Sequence, residues 1–368
     1  MKVLFLFAKS FSFTGGIEKF NQCLLKALKE LHHSAAINAF AISLYESNTM
    51  DKYFLKEHFK GWRGNKIFFL VHALFSSLNK DVIIISHINF AMIPYLAKVM
   101  MPAKKLIIVV HGIEAWKPLT GIKKRLLNKA DIILSVSEFT KQQLLSYNSY
   151  IDSNKIQIFP NTIDPYFTIP KILKKPDYLM QRYRLSSNTQ LLVSVTRISS
   201  VEKYKGYDKV IESLTLLKES FPAIKYLLCG KYDQQERERI YQLVEANQMN
   251  DSVILTGYIS ELELADHYLL ADIFILPSKG EGFGIAFLEA QACGRKVIAG
   301  NQDGSKEALL KTPSNRLVNP NNPVEIKNAI VSLLEEEYQP VAIQKAVVEK
   351  YGFNQFKNRL SDYLNTLN

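Results

Sequence analysis

Pro277-Ser-Lys-Gly-Glu-Gly-Phe-Gly-Ile-Ala-Phe-Leu-Glu-Ala-Gln-Ala-Cys-Gly-Arg-Lys-Val-Ile-Ala-Gly300 is the stretch from which the fold is read. It follows the short apolar run Ile273–Leu276 and ends in a second such run, Lys296–Ala299. Between the two lie a glycine-rich loop and a segment, Gly284–Cys293, with helical spacing. Buried strand, loop, helix, buried strand is the repeating unit of a parallel α/β sheet. A glycine-rich loop that opens a helix offers the backbone N–H groups of Phe283, Gly284 and Ile285 to an anion. The same stretch carries two carboxylates, Glu281 in the loop and Glu289 in the helix. A loop carboxylate at a strand's end faces whatever binds there, and one on the helix can reach the hydroxyls of a ligand whose phosphates rest on the helix tip. Spacing alone leaves Glu289 open to a second reading, a solvated helix face. Its neighbours Phe287, Leu288, Ala290 and Ala292 leave little polar surface for that.

The same rhythm extends over the whole chain. Short apolar runs rich in Val, Ile and Phe, most of them uninterrupted, recur at Val3–Ala8, Ala39–Leu44, Lys66–Val71, Val82–Ser86, Leu106–Val110, Ile132–Val136 and Ile156–Phe159, then at Leu191–Thr196, Lys225–Cys229 and Val253–Leu255. Unalternating runs belong to strands buried on both faces. Helical spacing lies between them, at Ile17–Leu31, Tyr207–Lys218 and Leu262–Ala271. The rhythm breaks at 160–189, which is polar and marked by Pro160, Pro165, Pro170 and Pro176. We therefore expect two Rossmann-like, doubly wound α/β domains, 1–164 and 165–349, facing each other across a cleft that takes the ligand at the carboxyl ends of the strands. Helical patterning over Val341–Leu364 suggests that a C-terminal helix, about 350–368, returns to pack on the first domain.

Composition narrows the class. The 368 residues are 47% apolar and 22% charged, the balance of a folded protein and not of a disordered, collagen-like or disulfide-built one. Cys23, Cys229 and Cys293 form no paired motif and read as small buried residues of a reducing compartment. No stretch reaches the roughly 18 uncharged apolar residues of a membrane span. The N-terminal apolar run is too short for a signal peptide and reads as a first strand, so the expected location is the cytoplasm. Residues 1–164 hold 21 Lys and Arg against 11 Asp and Glu, whereas the remainder is almost neutral. A basic half attracts anionic partners. No nucleic-acid-reading module accompanies it. An anionic membrane surface is the alternative partner, with Lys98, Lys104, Lys105, Lys123, Lys124 and Arg125 as candidates, and the inner face of the cytoplasmic membrane as the place.

Four further positions carry candidate chemistry. Gly15-Gly16 stands between the first strand and the first helix, either as a phosphate-approach turn or as a plain tight turn. Arg197 and Lys205 follow the strand Leu191–Thr196, where two cations can neutralise a leaving diphosphate. The alternative is that Arg197 pairs with Glu202 and that Lys205 is solvated. His111 ends the strand Leu106–Val110. There is no Asp-x-Asp, no HExxH and no Cys/His cluster at ligand spacing, so no metal ligands are assigned.

Together these residues resemble the retaining glycosyltransferases of family four, which adopt the GT-B fold. The resemblance covers most of the chain and is strongest over Leu191–Val318. In the first half it rests on Gly15-Gly16, His111, Val136-Ser-Glu-Phe-Thr-Lys141 and Pro160-Asn-Thr-Ile-Asp164. In the second it rests on Arg197, Lys205-Gly206, Gly257, Pro277-Ser278 and the pair Glu281 and Glu289, separated by seven residues that include Gly-Phe-Gly. Thr162 stands where the family usually has Gly, Cys229-Gly-Lys-Tyr lacks the usual Gly-x-Gly-Pro, and Arg316-Leu-Val-Asn-Pro320 lacks a preceding Gly.

The resemblance implies a metal-independent, retaining transfer of a hexose from a UDP- or GDP-sugar to a glycan or lipid-linked acceptor in cell-surface polysaccharide or lipopolysaccharide synthesis, with no cofactor. It implies donor-diphosphate contacts from Gly15, Gly16, Phe283, Gly284 and Ile285, charge stabilisation by Arg197 and Lys205, ribose contacts from Glu289, and contacts to the transferred sugar from Glu281 and His111. A nucleotide-sugar 2-epimerase of the same architecture and a non-catalytic nucleotide-binding module are the competing readings.

Overall fold

The first strand shows why unbroken apolar runs become buried sheet. In β1 (Lys2–Phe7), Val3, Phe5 and Phe7 enter one hydrophobic cluster while Leu4 and Leu6 enter another on the opposite face. Side chains alternate across a strand, so a run apolar at every position needs cover on both sides. The computed structural model, which describes residues 1–12 and 15–367, supplies that cover in two separate units.

The first unit comprises Met1–Pro165 and the chain from Tyr351 onward. Its sheet contains β1, β2 (Asn38–Ser43), β3 (Phe59–Gly61), β4 (Val82–Ile85), β5 (Lys105–Val110), β6 (Ile132–Ser135) and β7 (Ile156–Ile158), all parallel, in the order β3-β2-β1-β4-β5-β6-β7. One face is covered by the helix Gly16–His33, through Phe20, Leu24, Ala27, Leu28 and Leu31, and by Phe356, Leu360 and Leu364 of the helix Phe353–Asn365. The other is covered by the inner sides of Lys66–Leu78, Met92–Met100, Gly121–Lys129 and Glu138–Tyr147.

The second unit, Tyr166–Lys350, holds six parallel strands: β8 (Leu191–Val195), β9 (Lys225–Cys229), β10 (Val253–Gly257), β11 (Ile273–Leu276), β12 (Lys296–Gly300) and β13 (Asn315–Val318). Their order is β10-β9-β8-β11-β12-β13. The chain winds outward from β8 to β10, then returns to the other side of β8 and winds outward again. The reversal falls between β8 and β11, as it falls between β1 and β4 in the first unit. Outside the carboxyl ends of the strands at such a point, the connecting loops diverge and leave room for a ligand.

Several expectations need correction. Lys66–Val71 is not a strand. It is the first half of the helix Lys66–Leu78, started by Asn65, whose side chain accepts the Phe68 N–H at 3.2 Å. Its apolar residues run round the whole helix, which makes its first six positions look like a strand buried on both faces. β3 and β13 escaped the reading because both are edge strands with polar residues. The C-terminal helical stretch is two helices, Pro340–Tyr351 and Phe353–Asn365, interrupted at Gly352. Thr162, the departure from a glycine pattern, has a structural use: its hydroxyl donates to the Tyr351 carbonyl at 2.7 Å.

Two residues of the expected cationic patch are also turned inward. Lys98 donates to Asp131 at 2.8 Å and to the Lys104 carbonyl, and Lys104 donates to the carbonyls of Leu78 and Lys80 at 2.7 and 2.6 Å. No helix among the described residues is long and apolar enough to cross a membrane.

Candidate active site

In the second unit, the loops that leave β8, β11 and β12 meet at the strand-order reversal. The β8 loop contains Arg197 and a short 3-10 turn, Lys203–Lys205, that ends at Gly206. Gly206 sits at φ 77°, and a Cβ there would lie 2.2 Å from the Pro277 carbonyl oxygen. A glycine is thus what lets the β8 loop lie against the β11 loop. The Lys279 N–H then donates to the Tyr204 carbonyl at 3.0 Å, tying the two loops together.

That contact brings the Lys205 ammonium onto the Glu281 carboxylate. Both side chains are largely withdrawn from solvent, at 13% and 18% exposed. Burial pulls the Lys205 ammonium down, but the charge of Glu281 and its hydrogen bond outweigh this and hold it above the usual lysine range. Lys205 is therefore a fixed cation.

Glu281 is held from a third side. Its N–H donates to Asp303 Oδ2 at 2.7 Å, and its carbonyl accepts the Gly304 N–H at 2.9 Å. Asp303 is fully buried, and its other oxygen accepts the Ser305 N–H at 2.9 Å. Burial pushes the Asp303 carboxyl up to about 6, against the pull of those backbone donors. Tyr204 lies among the same charges, its hydroxyl pushed up to about 12, mainly by burial.

Arg197 is half exposed and forks onto Glu202, Nε to Oε2 at 3.0 Å with a second bond from the other arm to Oε1. Of the two alternatives open for these cations, the structure gives Arg197 its pairing with Glu202 and replaces a solvated Lys205 with a buried pair to Glu281.

Past Glu281 the chain turns into the helix Ile285–Ala292 through Gly284, at φ 93°. A Cβ at that position would lie 2.4 Å from the Phe287 ring. Among the described residues, no side chain caps this helix start. Its first N–H groups have no acceptor within the helix, so the positive end of the helix dipole remains available. One turn in, Glu289 is 6% exposed and accepts a hydrogen bond from the buried Tyr268 hydroxyl at 2.7 Å. That environment decides against a solvated helix face.

Gly15, Gly16 and His111 belong to the first unit. Gly15 is extended, with φ −164°, and Gly16 begins the helix Gly16–His33. Among the described residues, a Cβ at Gly16 would meet nothing within 4 Å, and one at Gly15 would meet only the Glu18 side chain. Neither dihedral strain nor crowding demands glycine at these positions. His111 packs edge-on against Phe20, one turn into that helix, with ring centroids 4.7 Å apart. Its Nε2 donates to the Ser86 carbonyl at 3.0 Å, which leaves Nδ1 as the acceptor. Burial pushes its pKa down to about 4, despite the opposing Glu114 carboxylate, so the ring is neutral at pH 7.

Sequence reasoning missed Asp303, Tyr204 and Tyr268. The first had a readable signal, an Asp-Gly-Ser turn just beyond the strand Lys296–Gly300. The two tyrosines had none, because their roles depend on partners 77 and 21 residues away. Among the described residues, no group of three or more His, Cys, Asp or Glu side chains is arranged to hold a metal ion.

Residues 14–167 match the family model for Glycosyltransferase Family 4, and residues 179–350 match that for Glycosyl transferases group 1. The chain is 25% identical over 277 residues to a GDP-mannose-dependent alpha-(1-6)-phosphatidylinositol monomannoside mannosyltransferase of Mycobacterium tuberculosis, a match covering 71% of this chain and 70% of that protein. Among solved structures, a glycosyltransferase from Rickettsia africae superposes with a TM-score of 0.80 at 20% identity, over 100% of this chain and 98% of that one. Anabaena Alr3699/HepE in complex with UDP and glucose superposes with a TM-score of 0.78 at 17% identity, over the whole of both chains. At these identities the structural likeness is evidence of fold.

Proposed function

The chain belongs to the group 1 glycosyltransferases of family 4, with the GT-B fold, and from that premise we propose that it moves a hexose from a nucleotide-diphosphate sugar to a glycan or lipid-linked acceptor with retention of configuration and without a metal ion. The observation that carries the reading is the Lys205–Glu281 pair, withdrawn from solvent where the strand order reverses and clamped there by Asp303 and Gly304. A fixed ammonium at that point can meet the charge that grows on a departing diphosphate, the work a divalent ion does elsewhere.

In the proposed reaction the bond between the sugar's anomeric carbon and the donor phosphate oxygen breaks, and the electron pair leaves with the nucleoside diphosphate. Lys205, Arg197 and the N–H groups at Phe283–Ile285 receive that charge. The acceptor hydroxyl forms the new bond on the same face and passes its proton to the leaving phosphate oxygen. Glu289, oriented by Tyr268, holds the ribose hydroxyls, and Glu281 holds the transferred sugar. For the first unit, the proposal gives Gly15 and Gly16 backbone contacts with the donor, and gives neutral His111 a hydroxyl of the sugar.

GDP-mannose is the leading donor, because the mycobacterial relative is named for dependence on it. The reaction belongs to cell-surface glycan or glycolipid assembly. The test is incubation with GDP-mannose and UDP-glucose, each with and without a mannosylated lipid acceptor, followed by nucleoside-diphosphate release and the anomeric signal of the product. Transfer dependent on acceptor, giving an α-linked product, supports the reading. Conversion of the donor alone to an epimer, or an inverted product, overturns it.

A further inference from the structure

We propose that the first unit docks on an anionic lipid bilayer through one helical face, centred on Ile67, Phe68, Val71 and Phe75 and framed by cations. This goes beyond the transfer reaction and does not depend on it. Helices that are apolar all round are normally covered on every side. The helix Lys66–Leu78 is apolar all round but covered only within: Phe69 and Ala73 face the core, while Ile67, Phe68, Val71 and Phe75 are 74%, 58%, 47% and 68% exposed.

The neighbouring helix Met92–Met100 repeats the arrangement. Ile93 and Ala97 point inward, whereas Met92, Leu96, Val99 and Met100 are exposed. Both helices cover the same side of the sheet, so their outer stripes form one surface. Bulky apolar side chains clustered in this way mark an interaction surface, unlike single exposed ones.

Charge selects the occupant. From Phe59 to Ala130 the chain carries twelve lysines and arginines against two acids, Asp81 and Glu114, nearly the whole net charge of +11. Arg63 and Lys66 are exposed at the start of the first helix, and Lys124, Arg125 and Lys129 are exposed on Gly121–Lys129, the helix beside Met92–Met100. Trp62 stacks on Phe68 with centroids 5.6 Å apart, with the Lys60 ammonium over its ring. An apolar stripe edged by an aromatic ring and cations matches the boundary between acyl chains and anionic headgroups. A protein partner would have to be both apolar and strongly acidic over the same area.

The test is cosedimentation of the full chain with vesicles of phosphatidylcholine alone and with added phosphatidylglycerol, at rising salt. The proposal expects binding to the anionic vesicles only, weakened by salt. Each cation near the surface contributes roughly fivefold, so the Arg63→Gln, Lys66→Gln, Lys124→Gln triple variant should bind about a hundredfold more weakly. The Ile67→Ser, Phe75→Ser double variant should lose at least tenfold with an unchanged thermal transition, since both side chains are exposed in the folded chain. No binding, equal binding to neutral vesicles, or full binding by either variant overturns the proposal. So does lipid-free self-association that the double variant abolishes, which would assign the face to a second copy.

Discussion

Lys205 and Glu281 are each worth more to the other than to water. Removing one member of a pair so withdrawn from solvent leaves the other charge unmatched, at a cost of about 3 kcal/mol. Lys205→Met should therefore lower stability by about that amount and reduce turnover at least a hundredfold, read from nucleoside-diphosphate release at saturating donor. Glu281→Gln keeps the shape and a hydrogen bond to Lys205 but not the charge. It should fold with a smaller loss and still be poorly active, which separates the site's chemistry from its stability. Asp303 makes a prediction with two opposite signs. Its native pKa, about 6, lies above the ordinary aspartate value, so between about pH 4 and 6 the native state binds more protons than the unfolded one. Its contribution to stability is complete below about pH 4 and falls as the pH rises to about 6. Activity should rise over the same window as the carboxylate becomes a full acceptor for the Glu281 N–H. Denaturant melts and rate profiles across that range, compared with Asp303→Asn, test both trends, and the variant should flatten each.

At the scale of elements, the loop–helix junction depends on conformation that only glycine adopts without strain. Gly284→Ala forces a side chain into a positive φ and against the Phe287 ring, and should cost about 2 kcal/mol or more while weakening donor binding, as followed by calorimetry with GDP and UDP. This junction was also the most legible part of the sequence. Strand β11, its glycine loop, the two glutamates and the helix are contiguous, so their spacing carries their geometry. The same logic failed at Lys66–Val71, where five apolar residues in a row, Ile67 to Val71, fit a doubly buried strand as well as a helix exposed on an apolar face. It failed at β3 and β13 because edge strands need no apolar run. Asp303, Tyr204 and Tyr268 act across the fold, and local pattern does not encode which loops the topology will bring together. Lys205 shows the middle case: its place after strand β8 was legible, its partner Glu281 was not.

Across the whole molecule, each unit has its own sheet and core, and the end of the chain belongs to the first. Phe356, Leu360 and Leu364 are buried in the cluster that contains Val3, Phe5 and Phe20. Leu360→Ala should therefore destabilise the first unit by about 2–5 kcal/mol and leave the second nearly unaffected, seen as hydrogen exchange that quickens in residues of β1 and Gly16–His33 but not of β8 or β11. The central claim concerns the second unit: protein cations, not a bound ion, carry the charge of the leaving diphosphate. The direct measurement is nucleoside-diphosphate release from GDP-mannose with acceptor, in chelator and in added magnesium, for the wild-type chain and for Lys205→Met. The account predicts an unchanged wild-type rate in chelator and a variant that stays folded but slow under both conditions. A wild-type rate that vanishes on chelation and returns with magnesium, or a variant that turns over normally, would contradict it.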